Sequence, residues 1–316
     1  MEDMVSLVTG GAGFIGSHLV DFLMERGEEV HVLDNLSSGS LSNVDRWMDN
    51  KNFSLVIGDL LDVDAIGRAI KGCNTIYHMA ANPEVRSSRA SPQDHFEQNV
   101  LATFNLLEVI RLSGDVKSLT FASTSTVYGE ADVVPTPETY GPLKPISLYG
   151  ASKLASEALI ASYANMYGFR CRLIRLANVI GSRSNHGVIY DFVQKLRSDP
   201  RKLVVLGDGS QSKSYLHVSD CIRGIVKFSE ESQDKCVILN VGSEDRVDVL
   251  SIANIVIEAM SLSDVEISLT GGVDGGRGWR GDVKLMQLDV GKVMSFGWKP
   301  LLNSYEAVKK TVMQII

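Results

Sequence analysis

The sequence predicts a doubly wound α/β fold, a parallel sheet with helices on both faces, followed by a smaller C-terminal domain. Three observations lead there. Short apolar runs alternate with amphipathic stretches of roughly ten residues or more through the first half of the chain. A glycine-rich turn joins the first such run to the first amphipathic stretch. After Asn178 the alternation loosens into polar loops, with glycines gathered over 207–209 and 271–281.

Each element follows in order. The spacing predicts a strand over 5–8 and a helix over 17–26 closed by Gly27. A strand over 29–34 comes next, then a strand over 54–57 and a helix over 62–70 capped by Gly72. Residues 75–79 read as a strand, 92–112 as one long helix and 118–123 as a strand. A helix over 148–167 leads to a strand over 170–175. Residues 188–196 read as a helix. Segments 215–228 and 237–241 read as a helix and a strand returning to the main sheet. The expected division is 1–177 for the sheet domain, with about 214–241 rejoining it, and 178–316 mainly for the smaller domain.

Composition narrows the class. The chain has 316 residues, 44% hydrophobic and 22% charged, which is ordinary globular usage rather than disorder. Its net charge of −7 lacks the basic footprint of a nucleic-acid binder. The acidic opening is not the basic start of a signal peptide, and glycines interrupt the apolar stretch over 5–20. No membrane association is expected. The four cysteines, Cys73, Cys171, Cys221 and Cys236, form no C-x-x-C pair, which fits a reduced, cytoplasmic compartment. The six histidines are scattered, so no metal site is expected.

The glycine turn is Gly10-Gly11-Ala12-Gly13-Phe14-Ile15-Gly16. A G-x-G-x-x-G placed between a strand and a helix is the Rossmann fingerprint. Its glycines let the backbone approach a pyrophosphate, and the helix start offers free N–H groups. Asp34 stands 18 positions after Gly16, at the end of the second strand. A carboxylate there accepts both ribose hydroxyls of NAD and repels the 2′-phosphate of NADP. No arginine occurs in Asn35-Leu36-Ser37-Ser38-Gly39. NAD is therefore the expected cofactor. Asp59, followed by Leu60, ends the third strand within reach of an adenine amino group.

A proton-transfer pair lies further on. Tyr149 and Lys153 are four residues apart at the start of a helix, hence on one face. A free tyrosine has a pKa of ~10, and lowering it by ~3 units requires ~4 kcal/mol of phenolate stabilisation. A nearby ammonium and the positive nicotinamide ring are sources of that stabilisation. Ser123-Thr124-Ser125-Thr126 follows a strand, so its hydroxyls reach the carboxyl edge of the sheet, where ligands bind.

Here the chain resembles the extended short-chain dehydrogenases/reductases, and among them the nucleoside-diphosphate-sugar 4-epimerases of the UDP-glucose type. The residues that carry the likeness are Thr9 to Gly16, Asp34-Asn35, Gly58-Asp59-Leu60, His78-Met79-Ala80-Ala81 and Asn99-Val100. Further on they are the Ser/Thr segment, Tyr149 with Lys153, Arg175 to Gly181, His217-Val218 with Asp220, and Gly281-Asp282.

The resemblance implies a mechanism. Tyr149 takes the proton of the sugar 4-hydroxyl while carbon 4 gives a hydride to NAD, and the hydride returns to the other face of the 4-keto sugar. Thr124 bridges the sugar oxygen and Tyr149, with Ser123 as the neighbouring alternative. Asn99 supports the Lys153 side. Gly10, Gly13, Phe14, Ile15, Gly16, Asn35, Ser38, Gly39, Leu60, Ala80, Ala81 and Asn99 join Asp34 and Asp59 around NAD, as do Tyr149 and Lys153.

Arg86, Ser125, Asn178, Val188, Gln211, Lys213, Tyr215 and Arg280 are implied for the sugar nucleotide, a UDP-sugar. Arg277 competes with Arg280 for the diphosphate, and Arg280 is preferred. Lys213 departs from the arginine of many relatives and loses its bidentate fork. A homodimer is implied through the helices beginning at Pro92 and Leu148.

Relatives that dehydrate carry an acidic pair at the places of Ser125 and Thr126, and those that decarboxylate retain the glutamate, at the place of Thr126. A hydroxyl cannot replace a carboxylic general acid near neutral pH. Epimerisation is therefore preferred, and the resemblance implies UDP-glucose/UDP-galactose as the pair. UDP-N-acetylhexosamine or UDP-glucuronate epimerisation, sugar dehydration and a non-catalytic NAD-sensing role are the alternatives.

Overall fold

β1 (Val5–Thr9) is buried from its second residue onward and runs into the glycine turn that starts α1 (Phe14–Glu25). The computed structural model describes residues 4–84, 91–232 and 234–316. β2 (Glu29–Asp34), β3 (Phe53–Ile57), α2 (Val63–Ala69) and β4 (Thr75–His78) follow. Then come α3 (Pro92–His95), α4 (Ala102–Ser113), β5 (Ser118–Thr124), α5 (Leu148–Tyr167) and β6 (Arg170–Leu176). The remainder is β7 (Asn178–Ile180), α6 (Val188–Ser198), β8 (Lys202–Val205), β9 (Ser212–Lys213), β10 (Tyr215–His217), α7 (Val218–Glu231) and β11 (Cys236–Val241). It closes with β12 (Val247–Asp248), α8 (Val249–Ala259), β13 (Glu266–Leu269), β14 (Leu285–Met286), α9 (Gly291–Ser295) and α10 (Ser304–Ile315).

The main sheet has seven strands in the order β11-β6-β5-β4-β1-β2-β3. β1 runs parallel to both β2 and β4, β2 to β3, and β4 to β5. The strand order reverses at β1, with β2 and β3 to one side and β4 and β5 to the other. In this doubly wound α/β fold, ligands bind outside the carboxyl ends of the strands at that reversal.

Two compact units divide the chain. One comprises Met1–Thr124, Ala151–Arg175 and Ile222–Leu239. Its core gathers Leu7, Leu33, Ile76 and Phe121 from strands with Ile66, Leu106 and Ile160 from helices. Burying each such side chain contributes roughly 1.5–3 kcal/mol. The other unit comprises Ser125–Gly150, Leu176–Cys221 and Asn240–Ile316. Its core packs Ile189, Phe192 and Val193 of α6 against Ile252 and Val256 of α8 and Val308 and Val312 of α10.

Segment 125–150 lies with the second unit through contacts that local periodicity does not carry. Thr136 bridges to Leu288, its N–H donates to the Gln287 carbonyl at 2.9 Å, and Tyr128 Oη donates to Asn240 Oδ1 at 2.7 Å.

Two expected elements differ. The single helix over 92–112 is interrupted by a π-helical turn over Phe96–Leu101. The Asn99 carbonyl there accepts the Thr103 hydroxyl at 2.6 Å and the Ser156 hydroxyl at 2.9 Å, which supports the widened turn. The expected helix over 215–228 begins instead as β10, paired with β7, and turns helical at Val218. No helix among the described residues is long and apolar enough to cross a membrane.

Candidate functional site

The phosphate turn is built by backbone packing. Gly10 has φ +67°, and a Cβ on it would lie 2.8 Å from the Ala80 backbone. A Cβ on Gly16 would lie 2.0 Å from the Gly10 carbonyl oxygen. Only glycine satisfies both positions. Gly13 caps α1 with no side-chain hydrogen bond, and the first turn, Phe14 and Ile15 included, carries no acid. The helix start thus keeps its pull on an anion, which fits the diphosphate of a dinucleotide. Ala80 and Ala81, half-buried, follow β4 beside this turn.

Asp34 is buried at the end of β2. One carboxylate oxygen accepts the Ala12 N–H at 2.9 Å and the other accepts the Leu36 N–H at 2.8 Å. Gly39 passes so close that a Cβ there would sit 3.1 Å from Asp34 Oδ1 and 2.8 Å from the Ala12 backbone. The Ala12 carbonyl also holds Ser40 N at 3.0 Å and Asn43 Nδ2 at 2.8 Å. Asn35 and Ser38 lie exposed on this loop. Asp59 accepts from Asn35 Nδ2 at 2.7 Å, from Gln98 Nε2 at 3.5 Å and from Leu61 N at 2.8 Å, while Leu60 is buried.

A buried relay runs behind the turn. Thr103 gives its one hydroxyl proton to the Asn99 carbonyl, so His78 Nε2, 2.9 Å away, donates to Thr103. His78 Nδ1 then accepts the Thr9 hydroxyl at 2.8 Å. Burial, with the Lys153 charge second, pushes the imidazole down to about 3, which keeps it neutral. The Asn99 side chain accepts Asn82 N at 2.7 Å and donates to Ser152 Oγ at 2.9 Å, fixing the first turns of α5.

Tyr149 and Lys153 lie on α5 one turn apart. Lys153 is almost fully buried, with Nζ 4.0 Å from the centre of the Phe121 ring. Burial brings its ammonium down to about 7, against an upward pull from Glu157. Glu157, the next turn on, continues the four-residue spacing of this pair along α5. It holds Arg175 through Nε–Oε1 at 3.0 Å and Nη2–Oε2 at 2.7 Å. It also accepts the Ser123 hydroxyl. The Ser123 proton therefore belongs to Glu157, which corrects the expectation that Ser123 stands ready as an alternative to Thr124. Thr124 ends β5, and Ser125, also buried, starts the 3₁₀ turn Ser125–Tyr128.

The second unit holds the residues expected around the sugar nucleotide. Asn178 opens β7, its side chain donating to the Ser214 carbonyl at 3.3 Å. Val188 opens α6 and packs against that unit's core. Lys213 pairs with Asp282 at 2.6 Å over the Trp279 ring. Gln211 Nε2 donates to the Leu206 carbonyl at 3.0 Å, and its buried Oε1 has no hydrogen-bond partner among the described residues. Tyr215 differs from its expected binding role in that it is a core residue, with its backbone held by Ser304 and Ser243. Arg277 binds Glu130 and the Asp274 carbonyl. Arg280 is 62% exposed and meets Asp274 at 3.3 Å. Arg86 lies outside the described residues. No group of three or more potential metal ligands occurs among the described residues.

Comparison with known proteins agrees with this architecture. The NAD-dependent epimerase/dehydratase family profile matches residues 6–242. A crystal structure of a UDP-galactose 4-epimerase is 48% identical, with TM-score 0.86 and 98% of each chain covered. The Thermus thermophilus UDP-glucose 4-epimerase, in complex with NAD, is 33% identical, with TM-score 0.86 and 99% of each chain covered. UDP-glucuronic acid decarboxylase 1 of Danio rerio is 31% identical over 97% of this chain and 71% of its own length.

Proposed function

The chain belongs to the NAD-dependent epimerase/dehydratase family, and from that membership we propose that it epimerises a nucleotide sugar at carbon 4, with UDP-glucose/UDP-galactose as the pair. The cofactor is NAD, which when bound would supply reversible hydride acceptance at carbon 4. Tyr149 takes the proton of the 4-hydroxyl and restores it after the 4-keto sugar has turned. Lys153, one turn on, stabilises the phenolate. Thr124 donates to the sugar oxygen. Asp34 selects NAD by meeting the ribose hydroxyls.

One observation carries the choice of reaction. The turn after β5 presents Ser125 and Thr126, both hydroxyls, where elimination or decarboxylation would need a carboxylic acid. Epimerisation needs no acid beyond Tyr149. The diphosphate is assigned to Lys213 and Arg280. An exposed pair such as Arg280–Asp274 is weak, so Arg280 is readily drawn to an anion. A homodimer is supported by the apolar residues Phe96, Phe104, Leu112 and Met166, exposed on and around α4 and α5.

The test incubates the purified protein, without added NAD, with UDP-glucose, UDP-N-acetylglucosamine and UDP-glucuronate in turn. The 4-epimer of UDP-glucose is the expected product, and Tyr149→Phe should fold yet fail to make it. A 4-keto-6-deoxy sugar or a pentose with released carbon dioxide contradicts the reading.

A further inference from the structure

Two cysteines far apart in sequence meet at the edge of the main sheet. Cys171 is the second residue of β6, and Cys236 is the first residue of the edge strand β11. Their Sγ atoms are 2.7 Å apart, and Cys171 N donates to the Lys235 carbonyl at 2.8 Å, fixing the strands side by side. Cys171 is buried and Cys236 is exposed.

Arg172, fully buried, anchors the segment leading into β11. It donates to the carbonyls of Phe228 at 3.2 Å, Asp234 at 3.0 Å and Ser232. Its charge lies beside the thiol pair. The hydrogen bond from Cys171 and the Arg172 cation lower the pKa of Cys236, while Cys171 is raised. The exposed thiol is thus the one that ionises.

We propose that Cys171 and Cys236 form an oxidisable dithiol, which a peroxide closes into a disulfide fastening the edge strand β11 to β6. The Cys236 thiolate attacks hydrogen peroxide; a sulfur–oxygen bond forms, the oxygen–oxygen bond breaks, and hydroxide leaves and is protonated to water. Cys171 then attacks the Cys236 sulfenic acid; the disulfide forms, the sulfur–oxygen bond breaks, and a second water leaves. Two thiols lose two electrons and two protons, and one peroxide becomes two waters. Closure needs a sulfur shift of less than about 1 Å.

The other two thiols are internal controls. Cys73 is buried, 3.3 Å from His31 Nδ1, and burial pushes it up to about 12. Cys221 is fully buried, with its thiol also raised.

The test treats the purified, NAD-loaded protein with hydrogen peroxide, alkylates the remaining thiols and maps the peptides by mass. The expected result is one cross-linked peptide pair containing Cys171 and Cys236, with Cys73 and Cys221 still alkylated. The cross-linked form should also resist urea better than the reduced form, and a dithiol reductant should abolish the difference. In Cys171→Ser, which lacks the resolving thiol, Cys236 should instead be trapped as a sulfenic acid by dimedone. Absence of the cross-link in the wild-type protein, or of trapping in the variant, overturns the site. A cross-link that brings no added resistance overturns the fastening.

Discussion

Glu157 and Arg175 form a two-bonded ion pair in which each side chain is at most 4% exposed, and the same carboxylate accepts the Ser123 hydroxyl. The pair ties α5, which carries Tyr149 and Lys153, to β6 and β5. Breaking such a pair from one side leaves an uncompensated buried charge, at a cost of about 3–5 kcal/mol. Glu157→Leu should therefore lower stability to urea by roughly that amount. Adding Arg175→Met should recover much of the loss. A single variant within about 0.5 kcal/mol of wild type would show that the pair does not hold the helix.

Ser123 and Thr124 are adjacent hydroxyls at the end of β5. Because the Ser123 proton goes to Glu157, Ser123→Ala should keep turnover within about threefold of wild type, a change of under ~0.7 kcal/mol. Thr124→Val would remove the proposed donor to the reacting oxygen and should lower kcat by roughly 10²–10³. The reverse ranking, measured by steady-state kinetics, would exchange the two roles.

His78 makes stability sensitive to acid. Its folded pKa, about 3, lies below the ordinary 6.5, so between those values the unfolded chain binds the extra proton. Stability from this group is complete above the unfolded value and falls as pH drops toward the folded one. Between about pH 6.5 and 4.5 the wild type should lose about 2–3 kcal/mol more than His78→Gln. Parallel urea stabilities of the two proteins across that range would show that His78 is not the source of the acid sensitivity.

Much of this was readable from the chain because the signals are local. Gly10 and Gly16 obey the steric demand of one turn, Asp34 ends a strand, and Tyr149 and Lys153 share a helix face by spacing alone. The unread parts depend on distance. The widened turn at Asn99 is supported by Ser156, 57 positions away, and segment 125–150 is held by Leu288 and Asn240. Glu157 did carry a local signal, since it continues the four-residue spacing of Tyr149 and Lys153 on α5. Its meaning came only with Arg175, whose reach across to the helix no periodicity encodes. Tyr215, implied by resemblance for the sugar nucleotide, has its side chain in the second unit's core and its backbone held by Ser304 and Ser243, 89 and 28 positions away.

Asp34 should decide between dinucleotides. Its carboxylate already orders Ala12 and Leu36, so Asp34→Asn keeps one acceptor and removes the charge. Binding titrations of the cofactor-free protein should show the preference for NAD over NADP reduced about tenfold to a hundredfold, ~1.4–2.7 kcal/mol. An unchanged ratio would detach Asp34 from the ribose.

The proposed reversible oxidation at a single sugar carbon can be followed with an isotope. UDP-glucose carrying deuterium at carbon 4 is converted by the wild-type protein without added NAD, and the product is read by NMR. The expected product is UDP-galactose with the deuterium still on carbon 4, now on the inverted centre. Deuterium found on another carbon, or lost to water, would contradict it.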